Sequence, residues 1–170
     1  MILTSVNAFD QTGKNAAGIT GGKVIPVGNN AFNNEAEGFW AYGGYLRHHF
    51  NPNWATDLAF TRMDYDKICT CTRSNVLDLL GTYRFNGAED VTPVVGLGLG
   101  VVENHSHENL HLGIRARAGV EKAFSEKLAL GAHLDYQSIS KLPGASIGPI
   151  PSNMNLLVPK IELTWYFGNK

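Results

Sequence analysis

Several small groups of residues have side chains that could do chemistry. Glu103, His105, His107, Glu108 and His111 crowd one short stretch, and imidazole with carboxylate is a donor set for a divalent metal. No strict ligand motif orders them, so His105, His107 and His111 are weak metal candidates set against a solvated polar loop. Cys69 and Cys71 flank Thr70, and in an oxidising compartment a disulfide is permitted. A bridge between residues two apart closes an unusually tight ring; a local disulfide, free thiols and links to a partner all fit this pair. Zinc would need two further ligands, and the sequence places none nearby.

Hydroxyl nucleophiles also stand near bases. Ser106 lies between His105 and His107, while Ser138 and Ser140 follow His133 and Asp135. Acyl-transfer chemistry needs the nucleophile within hydrogen-bond reach of a base that a third group orients. In an extended chain His133 and Asp135 share one face and Ser138 takes the other, so this set does not converge. The glycine run from Gly96 to Gly100 has no helix after it to hold a phosphate, which removes a nucleotide-loop reading. No cofactor is expected.

The elements that carry these residues are strands. Alternation of period two recurs eight times, and no segment sustains a helical period. Trp54, Thr56, Leu58 and Phe60 stand opposite Ala55, Asp57, Ala59 and Thr61; Val95, Leu97, Leu99 and Val101 stand opposite Gly96, Gly98, Gly100 and Val102. The expected strands are roughly 16–27, 38–50, 53–65, 75–86, 91–102, 109–124, 127–139 and 155–167. Tight turns at 51–53, 86–90 and 125–127 alternate with longer loops at 28–37, 66–73, 103–109 and 140–154. That rhythm gathers the tight turns at one end of an antiparallel up-and-down sheet, and closure removes its exposed edges. The expected fold is all-β: one domain over residues 1–170, an eight-stranded antiparallel barrel.

Size decides which face points inward. The apolar face carries Trp40, Trp54, Phe60, Tyr83, Phe85, Phe124, Tyr136, Trp165 and Phe167. An eight-stranded barrel is only just wide enough for side chains to fill, and this set would not fit. The other face is rich in glycine and alanine and holds Arg47, Arg84, Arg115, Arg117 and Lys160 against Asp57, Asp78, Glu121, Asp135 and Glu162, five of each sign. With His133 these form a polar lumen network that neutralises itself in pairs. Facing lipid, each base would cost about 2–4 kcal/mol near mid-bilayer. Phe50, Trp54, Phe85, Phe124, Trp165 and Phe167 fall near the tight-turn rim, with Trp40 and Tyr42 near the other, as an interfacial girdle requires. His48-His49 sits at a turn, one ring toward the rim and one toward the lumen.

Composition closes other routes. The 170 residues carry 14 Lys+Arg and 15 Asp+Glu, net charge -1, which offers no basic stripe for nucleic acid. The longest weakly polar run, Val91 to Val102, is 12 residues, short of the ~20 a spanning helix needs. The first ten residues, MILTSVNAFD, lack the charged start and apolar stretch of a secretory signal, so an exported form would be a mature one.

YRFNGAEDVTPVVGLGLGV (Tyr83–Val101), GVEKAFSEKLALGAHLDY (Gly119–Tyr136) and LTWYF (Leu163–Phe167) resemble the eight-stranded outer-membrane β-barrels of Gram-negative bacteria, the OmpA-like and OmpX-like group. The resemblance covers roughly residues 16–167 and specifies fold better than function. It implies an outer-membrane location, tight turns in the periplasm, long loops outside the cell and a lumen plugged by side chains. The expected role is non-catalytic: structural, or interaction and adhesion through the loops. Its partners would be outer-membrane lipid, lipopolysaccharide and an extracellular or envelope protein. The alternatives are a lipid-modifying outer-membrane enzyme and a soluble lipocalin-like carrier, whose core would be lined by Leu77, Leu97 and Leu130.

Overall fold

The computed structural model describes residues 12–27, 39–64, 73–85, 91–104, 109–141 and 153–168. Eight strands account for nearly all of them: β1 (Asn15–Val27), β2 (Phe39–His49), β3 (Trp54–Asp64), β4 (Arg73–Arg84), β5 (Val91–Asn104), β6 (Asn109–Ser125), β7 (Leu128–Lys141) and β8 (Asn153–Phe167). Each pairs antiparallel with its neighbour in the chain, and β1 pairs with β8, so the sheet closes into a barrel with no free edge.

Strand ends run further into the long-loop side than the alternation suggests. The expected loop at 103–109 shrinks because β5 continues to Asn104, which pairs with Asn109 at the start of β6. β4 begins at Arg73 and β7 reaches Lys141 for the same reason, that backbone pairing outlasts the hydrophobic pattern. At the other rim the turn chemistry matches its residues. Asn51 Oδ1 accepts from the backbone N–H of Asn53 (2.9 Å) and of Trp54 (2.8 Å), an Asx turn around Pro52. Asn53 Nδ2 then donates to the Arg84 carbonyl at 2.8 Å, tying this turn to the next hairpin.

The faces divide as side-chain size demands. Leu77, Leu97 and Leu130 are 51%, 66% and 41% exposed, so they line no internal cavity and the lipocalin-like register is not adopted. Inside, the charged residues are buried. Midway along β5 the lumen face is Gly96, Gly98 and Gly100, which leaves a bare lane over which β4 and β6 side chains meet. A Cβ at Gly98 would strike the Leu79 carbonyl and lie 2.7 Å from Leu80 Cγ.

Replacing Gly98 by Ala is therefore expected to destabilise the barrel by about 1–3 kcal/mol, since backbone must shift to admit the methyl. Gly81→Ala, on the exposed face with only the Leu97 carbonyl at 3.9 Å, is expected to change stability by less than about 0.5 kcal/mol. Urea unfolding in detergent micelles, followed by tryptophan fluorescence, checks the pair.

Candidate functional site

The lumen is the densest chemical assembly among the described residues. Register delivers its first layer: Arg47 on β2 is opposite Asp57 on β3, and Arg117 on β6 is opposite Asp135 on β7. Arg47 grips Asp57 through two bonds, Nε to Oδ1 at 2.6 Å and Nη2 to Oδ2 at 2.9 Å, and reaches Glu121 Oε1 with Nη1 at 2.6 Å. Two parallel N–H···O bonds are the arrangement the planar guanidinium favours. Arg117 contacts Asp135 at 3.0 Å, Glu162 at 3.0 Å and Asp57 at 3.3 Å. Across the bare lane of β5, Arg115 meets Asp78 at 2.8 Å. Lys160 closes on Asp135 at 2.7 Å and Glu162 at 3.0 Å, and Arg84 on Glu121 at 3.3 Å.

All five cations and all five carboxylates expected in the lumen are thus buried and brought together, with His133 Nε2 3.4 Å from Glu162. In a low-dielectric interior an isolated ion would cost several kcal/mol; here every charge has an opposite neighbour. Residues not singled out in the sequence complete the packing. Tyr45 lies under Arg47, whose Cζ is 5.2 Å from the ring centroid, and its hydroxyl shares a 2.5 Å hydrogen bond with Thr164. Thr82 donates to Asp57 at 3.4 Å, and Gln137 is fully buried.

Two apolar layers bracket the charges. Toward the long loops Val24, Ala41, Met63, Val76, Val102, Ile139, Met154, Leu156 and Val158 form a buried cluster inside the barrel. Toward the tight turns Ala16, Ala129 and Tyr166 pack together, with His49 5.7 Å from the Tyr166 ring. A void of about 10 Å³ between Thr61, Arg115, Gln137 and Lys160 has room for about one water molecule.

The other candidates fare differently. His111 is buried in the lumen while Glu103 is exposed on the outer wall, so the expected metal set splits; the two lie on paired strands with opposite side-chain parity. His105, His107, Ser106, Cys69 and Cys71 lie outside the described residues. Glu121, His133 and Glu162 do bring ligand atoms within 4.8 Å of one another. Their carboxylates already face Arg47, Arg84, Arg117 and Lys160, so a divalent ion would have to displace these cations and upset an even balance of sign. His133 and Asp135 are buried whereas Ser138 points to the other face, so Ser138 does not meet that base. His49 faces inward, and His48 outward to Asn15 at 2.8 Å.

On the outer wall Trp40, Tyr42, Phe50, Trp54, Phe85, Phe124, Trp165 and Phe167 are all exposed. Trp54, Tyr83 and Phe85 stack edge to face, with both centroid separations 4.9 Å. Near the long-loop rim the outer wall turns polar at Arg62, Asp64 and Glu103, Tyr42 donating to Asp64 at 2.7 Å.

Arg47→Met is expected to destabilise the protein by about 3–5 kcal/mol, because Asp57 and Glu121 lose their nearest cation. The double variant Arg47→Met with Asp57→Asn restores the balance of sign and is expected to lose less than the two single losses summed. A double-mutant cycle from urea unfolding measures that coupling.

No protein-family model matches the sequence, and no curated protein is similar to it. Solved structures are similar in fold. Neisserial surface protein A aligns with a TM-score of 0.66 at 15% identity, over 91% of this chain and 96% of its own. The outer membrane protein OprG from Pseudomonas aeruginosa gives 0.59 at 13% identity, over 93% and 97%. The attachment invasion locus protein Ail of Yersinia pestis, solved in complex with the heparin analogue sucrose octasulfate, gives 0.51 at 12% identity, over 92% and 99%. With the closed antiparallel topology and the apolar outer wall, these likenesses identify the chain's fold as that of the eight-stranded outer-membrane β-barrels.

Proposed function

We propose that the protein is a non-catalytic barrel of the bacterial outer membrane, with a structural role or one exercised by the segments that cap its long-loop rim. The observation that carries this is the filled lumen: ten paired charges between two apolar layers leave no solute path through the described barrel. Trp40 and Tyr42 on one side, and Phe50, Trp54, Phe85, Phe124, Trp165 and Phe167 on the other, would rest at the two membrane–water interfaces, in contact with outer-membrane lipid and lipopolysaccharide.

What remains to differ between such barrels is the loops. Segments 28–38, 65–72, 105–108 and 142–152 hold Glu35, Glu37, Asp66 and Glu108 against a single Lys67. That balance does not suit a polyanion such as the sulfated sugar seen with Ail, and it favours a protein partner at the cell surface or in the envelope.

Planar-bilayer recording of the reconstituted protein is expected to show no open-channel steps, and regular steps would contradict a plugged lumen. Incubation with phospholipid and lipopolysaccharide vesicles is expected to release no fatty acid; release would restore the lipid-enzyme reading. Replacing 28–38 and 142–152 by short Gly-Ser turns is expected to abolish attachment of expressing cells to host or neighbouring cells while the β-type circular dichroism persists. Unchanged attachment would count against a role in these loops.

A further inference from the structure

The outer wall is not uniformly convex. An apolar groove of about 920 Å³ crosses it from β6 to β2, within the range of ~300–1,000 Å³ typical of small-molecule sites. Its floor is low because Gly21, Ala118 and Ala132 stand where other positions on this wall carry Leu, Ile or Phe, and Trp40 and Pro159 form part of its sides. The β1–β8 ladder is interrupted here: register runs from Gly22↔Lys160 to Ile25↔Leu157, and Pro159 between them has no N–H to give.

Lys23 stands at this break, beside Pro159 on one side and paired with Trp40 on the other, with its side chain on the exposed face. Arg62, also on the outer wall, is held by Asp64 at 3.3 Å, whereas Lys23 has no ion pair among the described residues. A cation on a lipid-facing wall is tolerated only near the interface, where its amine can reach headgroups.

We infer that this groove and Lys23 together form a site for one lipid of the surrounding leaflet, an acyl chain lying against Gly21, Ala118 and Ala132 and an anionic phosphate headgroup on the Lys23 ammonium. The inference rests on the outer wall facing lipid. Charge complementarity selects the occupant: an apolar groove with a cation at its edge that has no ion pair among the described residues fits a chain that ends in an anion, and the same groove beside a neutral edge would select nothing. Trp40 adds a rigid flank to the chain and an indole N–H at headgroup level.

The test uses Trp40 as its reporter. A variant with Trp54→Phe and Trp165→Phe, and a second that keeps only Trp165, are reconstituted in phosphatidylcholine. Brominated phosphatidylglycerol or brominated phosphatidylcholine is then added at matched mole fraction. Trp40 fluorescence is expected to report about fivefold preference for the anionic lipid, the ratio that one lysine near an anionic surface supplies. Trp165 is expected to report none. Lys23→Gln is expected to abolish the preference and Lys23→Arg to keep it. Equal quenching of Trp40 by both lipids would overturn the site while leaving the membrane barrel intact. Absence of quenching of either tryptophan by either lipid would overturn the lipid-facing wall and the site with it.

Discussion

Arg117 carries one positive charge into the middle of the barrel and lies within 3.3 Å of carboxylates from three other strands, Asp57 on β3, Asp135 on β7 and Glu162 on β8. Mutual neutralisation of buried charge is the constraint on which the rest depends. Ten ions with no access to bulk water are tolerable only if every one is paired, and pairing across a lumen requires the strands to close at one register. A shift of one residue would place the bases and acids on the wall and the bulky aromatics inside, where they do not fit. The bare β5 face follows from the same need: Arg115 and Asp78 belong to strands that are not neighbours, and they meet because Gly98 and Gly100 have no side chains in the way.

Much of this is legible in the sequence because period-two alternation has a physical cause. Leu77, Leu79, Leu97 and Leu99 face outward and Asp78, Gly98 and Gly100 inward simply because successive residues of a strand point to opposite sides. The closed topology and the ten lumen charges follow from that rule plus size. The apolar layer near the long loops does not, because its signal is a lapse in the alternation. Val101-Val102 and Leu156-Leu157-Val158 are apolar on both faces, and such runs read equally well as loosely patterned strand ends. In the barrel Val101 and Leu157 lie on the outer face, while Val102, Leu156 and Val158 fill the lumen. Glu103 and His111, expected in one cluster, part for a related reason. Read as a loop, 103–109 lets Glu103 and His111 converge; continued as paired strand, it sends them to opposite faces.

Among the described residues the interior pairs its ten charges and fills the lumen between two apolar layers. His133 lies against Glu162 at 3.4 Å, and the nearby Ser138 faces away. Two surfaces stand apart from this filled interior: the rim segments, whose sequence is acidic and polar, and the outer wall, where most positions are bulky and apolar but one stretch beside Lys23 is hollow.

The protein is a closed barrel with its apolar wall turned to lipid. The most direct measurement is gel mobility in SDS of the detergent-purified protein, boiled against unboiled, alongside circular dichroism. With every ladder hydrogen bond internal and no edge exposed, the lipid-facing register predicts β-type circular dichroism and a band whose mobility changes only on boiling. Identical mobility before and after boiling, in a protein that stays soluble in buffer without detergent, would contradict it.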